Sequence, residues 1–227
     1  MVQTFTTAAA TIRKTAEILP DLHDRALNLM RARKSSPVAI YLSLIQEVPG
    51  VDLRTEEALA VRTRFNGFYG VRRNAAWRAE FYGHFEAMKQ APGTAEARFG
   101  ACLRALHTAT GRVEASFVSK AVATFHPASP VIDKVLRDRF ASLVTPPPFG
   151  GGVEPALSYY RWLADVMEGL TRTPQAADWF RVYDVVFVDT PGAATTHPVK
   201  KLDFLIWGGR PDKPSPKPRA PPKGAAA

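Results

Sequence analysis

A chain of 227 residues with 46% apolar and 22% charged side chains is long enough to bury a core and too apolar for wholesale disorder, which points to one folded domain. A single cysteine, Cys102, excludes an internal disulfide, and no apolar run reaches the roughly 18 residues of a membrane span. Arg13 and Lys14 follow the mildly apolar opening segment, the reverse of a secretory leader, so a cytoplasmic protein with no membrane partner is expected.

Helical spacing of apolar residues then recurs along the chain. Ile12, Ala16 and Leu19, followed by Leu22, Ala26, Leu29 and Met30, predict two helices divided by Pro20. Pro37 opens a short apolar stretch that Pro49-Gly50 closes. Thr55-Glu56-Glu57 predicts a hydroxyl-capped helix start with acids at its positive end, running to Tyr69. Further helices are predicted over 74–89, 94–107, 113–125, 133–143, 154–169, 174–187 and 198–207. The run Val182–Val188 has the composition of a strand but no partner strand. The fold class is therefore all-α, with a helical domain over 1–208.

Residues 209–227 have a different composition. Six prolines interleaved with Arg210, Lys213, Lys217, Arg219 and Lys223 cannot bury enough apolar surface to offset the entropy of ordering, so a disordered basic tail is expected. With Asp212 as its one acid, the tail holds four of the net nine positive charges. The remaining excess suits a polyanionic partner, of which nucleic acid is the commonest inside cells, and equally suits the modest Lys and Arg excess of many proteins of high-GC bacteria that have no nucleic-acid role.

The segment from Thr110 to Asp133 is the most informative. It reads as a turn with Gly111 and Arg112, an apolar-faced helix carrying Lys120 on its flank, and a proline-framed approach through His126-Pro127 to Asp133. Lys120 is not needed for packing, having Ser116 and Thr124 one turn away on either side. Asp133 has a plain structural reading as the cap or first-turn acid of the next helix, where the positive helix end keeps a carboxylate ionised.

The string SFVSKAVATFHPASPVID (116–133) resembles a segment of an uncharacterised bacterial group similar to 8-oxoguanine DNA glycosylases, within the helix-hairpin-helix DNA glycosylase superfamily. Phe65–Tyr69 with Arg72, Arg73, Asn74, Trp77 and Arg78 resembles the aromatic and arginine block of that group, and Lys200–Trp207 resembles its closing helix. The resemblance implies a two-lobed helical domain that binds double-stranded DNA, bends it and draws one base into a pocket. It implies base excision, a DNA-repair hydrolase chemistry, with Asp133 as the essential aspartate stabilising positive charge on the sugar. Lys120 would be the amine of a bifunctional enzyme, forming a Schiff base with the opened sugar. The superfamily turn carries glycines on both sides and, in bifunctional members, a lysine just behind; here only Gly111 is present and Glu114 holds the nearby helical position. A reading from another class keeps the fold and loses the chemistry, as a helical DNA-binding module of a defence or regulatory system.

The other candidates have structural readings beside the functional ones. Trp77, Phe81 and Phe85, four apart, read first as core, with Trp77 a candidate wall of the base pocket. Tyr69, Arg72 and Arg73 suit base stacking and phosphate contact, with an exposed basic helix end as the plain alternative. Gly111, Arg112 and His126 complete the expected DNA contacts. Five histidines and one cysteine show no zinc spacing, and there is no phosphate loop or nucleophile elbow, so no metal or cofactor is expected.

Overall fold

The computed structural model describes residues 5–31 and 36–210. Among these residues there is no strand, and ten α-helices follow one another: α1 Ala8–Arg31, α2 Pro37–Glu47, α3 Leu59–Tyr69, α4 Ala75–Gln90, α5 Ala95–Thr110, α6 Ala115–Phe125, α7 Lys134–Leu143, α8 Val153–Leu170, α9 Pro174–Val186 and α10 Pro198–Gly208. The starts are set locally. Side chains of Ser36, Asn74, Thr94, Asp133 and Thr173 accept hydrogen bonds from backbone N–H groups of the first turns of α2, α4, α5, α7 and α9. Proline occupies the first turn of α2, α9 and α10, where its missing N–H costs nothing. Gly111 ends α5 at a φ of 68°, a left-handed conformation that favours glycine.

Two sequence expectations are corrected. Pro20 does not divide the first segment, because α1 runs continuously through it. Pro20 is exposed, while Ala16, Leu19, Leu22, Ala26 and Met30 on either side of it are buried against α8, α9 and α10, and that packing outweighs one missing hydrogen bond. Thr55 does not cap a helix with its hydroxyl. The hydroxyl donates to the Asp52 carbonyl at 3.2 Å, Glu56–Ala58 form a single 3-10 turn, and α3 starts after it. The run 182–188, strand-like in composition, follows the helix predicted over 174–187: its first five residues complete α9, with Tyr183 fully buried.

The helices pack in two groups. The first helix returns to the last ones, so that α1 lies against α7, α8, α9 and α10, while α2 to α6 pack mainly among themselves, with α5 also touching α8. Close approach of α1 and α10 depends on Gly208, where a Cβ would come within 2.9 Å of the Ala26 backbone. One continuous apolar core runs through both groups. It includes Phe65, Phe81, Phe85 and Phe99 from the central helices and Tyr159, Trp179, Leu202 and Leu205 from the terminal ones. Of the expected tail, Gly209 and Arg210 are described and 211–227 lie outside the described residues. The Gly209 carbonyl accepts a hydrogen bond from Arg139 at 3.1 Å, and the Arg210 guanidinium stands 4.0 Å from the Trp207 ring centroid.

Candidate active site

Helix α6 and the segment leading into α7 are joined by two serines. The Ser116 hydroxyl donates to the Ile132 carbonyl at 2.7 Å, and the Ile132 N–H donates to the fully buried Ser119 hydroxyl at 2.9 Å. Both polar groups of the Ile132 peptide unit are thus satisfied by side chains of α6, which is what a buried extended residue requires. The next residue, Asp133, becomes the N-cap of α7, its Oδ1 accepting from the Leu136 N–H at 2.9 Å. Lys120 lies one turn beyond Ser116 on α6. The serine clasp therefore fixes the carboxylate of one element relative to the amine of another.

Both side chains line a single cleft of about 550 Å³. Its walls come from α2 (Pro37, Ile40), the end of α3 (Arg64 to Gly70), Lys120 of α6, Val131 and Asp133, and α10 (Lys200, Asp203, Phe204, Trp207). The cleft thus lies where the two groups of helices meet. The volume is that of a small-molecule site, apolar and aromatic in most of its lining with a few charged groups converging on it.

The electrostatics of the two candidates are set by burial. Lys120 Nζ donates to the Tyr69 carbonyl at 3.3 Å and stands 5.4 Å and 5.9 Å from the Phe117 and Tyr69 ring centroids. No carboxylate lies within ion-pair distance of it among the described residues. Loss of hydration lowers the Lys120 ammonium below its ordinary 10.5, opposed by the negative charges of Asp133 and Asp203. Asp133 is shifted the other way: burial pushes its carboxyl above the ordinary 3.8, opposed by the Leu136 N–H and by Lys120 and Lys200. Its Oδ2 accepts no hydrogen bond from any described residue. A carboxylate that caps with one oxygen and lines the same cleft as a desolvated amine can stabilise a cation and accept a proton, while the amine can act as a nucleophile when neutral.

Three further charged residues of this cleft, Arg64, Lys200 and Asp203, are not singled out by sequence reasoning, and Arg64 is paired with Glu47 of α2. Lys200 and Asp203 are 4% and 7% exposed, and their side chains form an ion pair one helical turn apart on α10. The Lys200 amine is ringed by aromatic side chains, 4.9 Å from the centroids of Tyr41 and Phe204 and 5.8 Å from those of Phe68 and Tyr69. The available signal was Lys200 and Asp203 one helical turn apart in a helix whose only other charge is Lys201.

The expected DNA contacts are not brought together in one place. Tyr69 belongs to the cleft, through its carbonyl and ring. Arg72, Arg73, Asn74, Trp77 and Arg112 instead line a neighbouring groove of about 270 Å³. Trp77 is therefore not a wall of the Asp133 cleft: it is buried, stacked at 5.1 Å on Phe81 and edge-on to Phe117, as its four-residue spacing with Phe81 and Phe85 implies. Arg73 donates to both carboxylate oxygens of Glu114, at 2.9 Å and 3.1 Å, and covers the rings of Trp77 and Phe117. Arg72 and Arg112 are exposed and form no ion pair among the described residues, and Gly111 sits in the exposed turn before Arg112. His126 caps the far end of α6, outside the cleft lining, and burial together with Arg98 lowers its imidazole below the usual 6.5. Among the described residues no three His, Cys, Asp or Glu side chains are grouped to hold a metal ion, and no helix is long and apolar enough to cross a membrane.

Comparison of the chain with protein-family models, with curated proteins and with solved structures found no match.

Proposed function

We propose that the chain is a DNA glycosylase-like protein that binds duplex DNA and excises a damaged or modified base from a flipped nucleotide. The observation that carries this reading is the placement of Asp133 and Lys120 in one aromatic-walled cleft, with neither neutralised in a close ion pair. Its volume suits an extruded base with its sugar, and Phe68, Tyr69, Phe204 and Trp207 give it an aromatic wall. In the chemistry proposed, the bond from the sugar C1′ to the base nitrogen breaks, and positive charge on the sugar is stabilised by the Asp133 anion. Water adds to C1′ in the simpler course, losing a proton as the base leaves protonated. In the bifunctional course the neutral Lys120 amine adds to C1′ instead, and the opened sugar is held as an imine. Arg72 and Arg112, in the groove they line with Arg73, Asn74 and Trp77, are the side chains proposed to meet the DNA backbone.

The test is incubation of the full chain with duplexes carrying a panel of base lesions, scored for abasic product. Asp133→Asn keeps the size and most of the capping ability, so excision should fall by about a hundredfold or more with DNA binding retained. Lys120→Gln should abolish borohydride trapping of a covalent DNA complex if the amine is the nucleophile, and should leave excision measurable if water is. An active protein indifferent to Asp133→Asn overturns the site. DNA binding with no excision of any lesion would support the non-catalytic DNA-binding module instead.

A further inference from the structure

We propose that Lys200 and Asp203 are positioning residues of the cleft, a balanced pair of opposite charges that acts on the Lys120 amine and the Asp133 carboxylate from α10 without touching the substrate. The inference rests on the reading of this cleft as the reaction site. Its basis is geometric. Both side chains are almost fully buried, both line the cleft, and they are bonded to each other. The Tyr69 ring lies between their end of the cleft and α6, with its centroid 5.8 Å from the Lys200 amine and 5.9 Å from the Lys120 amine.

A buried ion pair is a poor way to stabilise a core, because desolvating two charges cancels most of their attraction and apolar residues of similar size do as well. Among the other buried residues of α10, Val199, Leu202, Phe204, Leu205 and Ile206 are apolar and Lys201 turns away to pair with Asp184 on α9, which leaves Lys200 and Asp203 as the charges this helix brings to the cleft. The groups that face Lys120 are the Tyr69 carbonyl from α3, Asp133 ahead of α7, and Lys200 and Asp203 from α10. Asp203 favours the charged amine and Lys200 opposes it; on Asp133, Asp203 favours the neutral acid and Lys200 the anion. While both partners are present these influences oppose each other. Removal of either leaves the other unbalanced in a poorly hydrated site.

This gives a pair of effects with opposite signs, which a purely structural role does not produce. The full chain, with its lysines reductively methylated with carbon-13, is titrated by NMR, the Lys120 signal being the one lost in Lys120→Arg. Lys200→Met should raise the Lys120 midpoint by about one pH unit and Asp203→Asn should lower it by about the same amount. The double substitution should return it close to wild type, and Lys200→Arg should leave it unchanged. Shifts of the same sign, or no shift in variants that keep their helical circular dichroism, overturn the proposal. If Lys200→Met does not fold, the nearly isosteric Asp203→Asn decides it alone by the direction of its shift. The titration needs no DNA. Opposed shifts in a protein that excises nothing would therefore overturn the glycosylase reading and not the coupling, and excision without opposed shifts would do the reverse.

Discussion

Glu114 and Asp133 each stand immediately before a helix, on either side of the most informative stretch of the chain, yet the structure uses them differently. Glu114 precedes α6 but makes no side-chain hydrogen bond to its first turn. Its carboxylate turns to α4 and takes two hydrogen bonds from Arg73, tying the start of α6 to the aromatic stack of Trp77, Phe81 and Phe117. Asp133 caps α7 with one oxygen and lines the cleft with no cation in ion-pair contact. A position ahead of a helix makes an acid tolerable; the partner it finds in space decides whether it holds the fold together or remains available for chemistry. The same holds for the two cations concerned, since Arg73 is engaged by its carboxylate and Lys120 meets only a carbonyl.

The largest difference expected between these acids is in stability. Glu114→Ala leaves Arg73 beside two aromatic rings without its carboxylate, and because that guanidinium is about one-third exposed and can partly rehydrate, the loss should be about 2 kcal/mol by chemical denaturation. A smaller effect is expected at Asp133, where Asp133→Asn should change stability by no more than about 1 kcal/mol, asparagine capping nearly as well. That difference should depend on pH in a defined direction. The Asp133 carboxyl is harder to ionise folded than unfolded, so wild type loses stability relative to the Asn variant as pH rises past the ordinary 3.8 toward its raised folded value, and the difference closes again in acid. Thermal melts of the two proteins between about pH 3 and pH 7 should show the curves separating upward in pH; separation toward acid would contradict the burial argument. The smallest effects belong to the exposed arginines of the neighbouring groove. Arg72→Gln and Arg112→Gln should each weaken duplex binding only several-fold, alike for all sequences, and should each reduce the steepness of its salt dependence by about one. No change in that slope would move the DNA contact elsewhere.

Much of the helical layout was legible because its causes are local. Asn74, Thr94, Asp133 and Thr173 cap the turns they precede, and prolines and glycines punctuate the chain within a residue or two of the observed ends. The exception at Thr55 is also local, its hydroxyl turning back to the Asp52 carbonyl, whereas the exception at Pro20 comes from long-range packing. Pro20 is a helix breaker in isolation, but residues far along the chain bury both halves of α1 and keep it whole. The strand-like run at 182–188 is helical because Tyr183 has a place in the core beside Trp179 and Phe187. In the candidate site, Asp133 and Lys120 could be named from their neighbours in sequence. The serine clasp on Ile132 that sets one against the other could not, because it joins residues 13 and 16 positions apart.

Lys200 and Lys201 mark the boundary between the two kinds of information. As sequence they are an ordinary basic pair at the start of a predicted helix. An α-helix turns by about 100° per residue, so neighbours must leave it in different directions, and that much follows from the sequence alone. Where those directions lead depends on what the other helices place there. Lys200 meets Asp203 within the aromatic wall of the cleft, while Lys201 reaches Asp184 on α9 and lies over Tyr183 at 5.1 Å. That the chain is helical, and where most of its helices begin and end, could be read from the residues alone, because capping and a 3.6-residue period act over a few residues. Which charges share a cleft followed from the packing, because burial and charge coupling depend on distances across helices that are far apart in the chain.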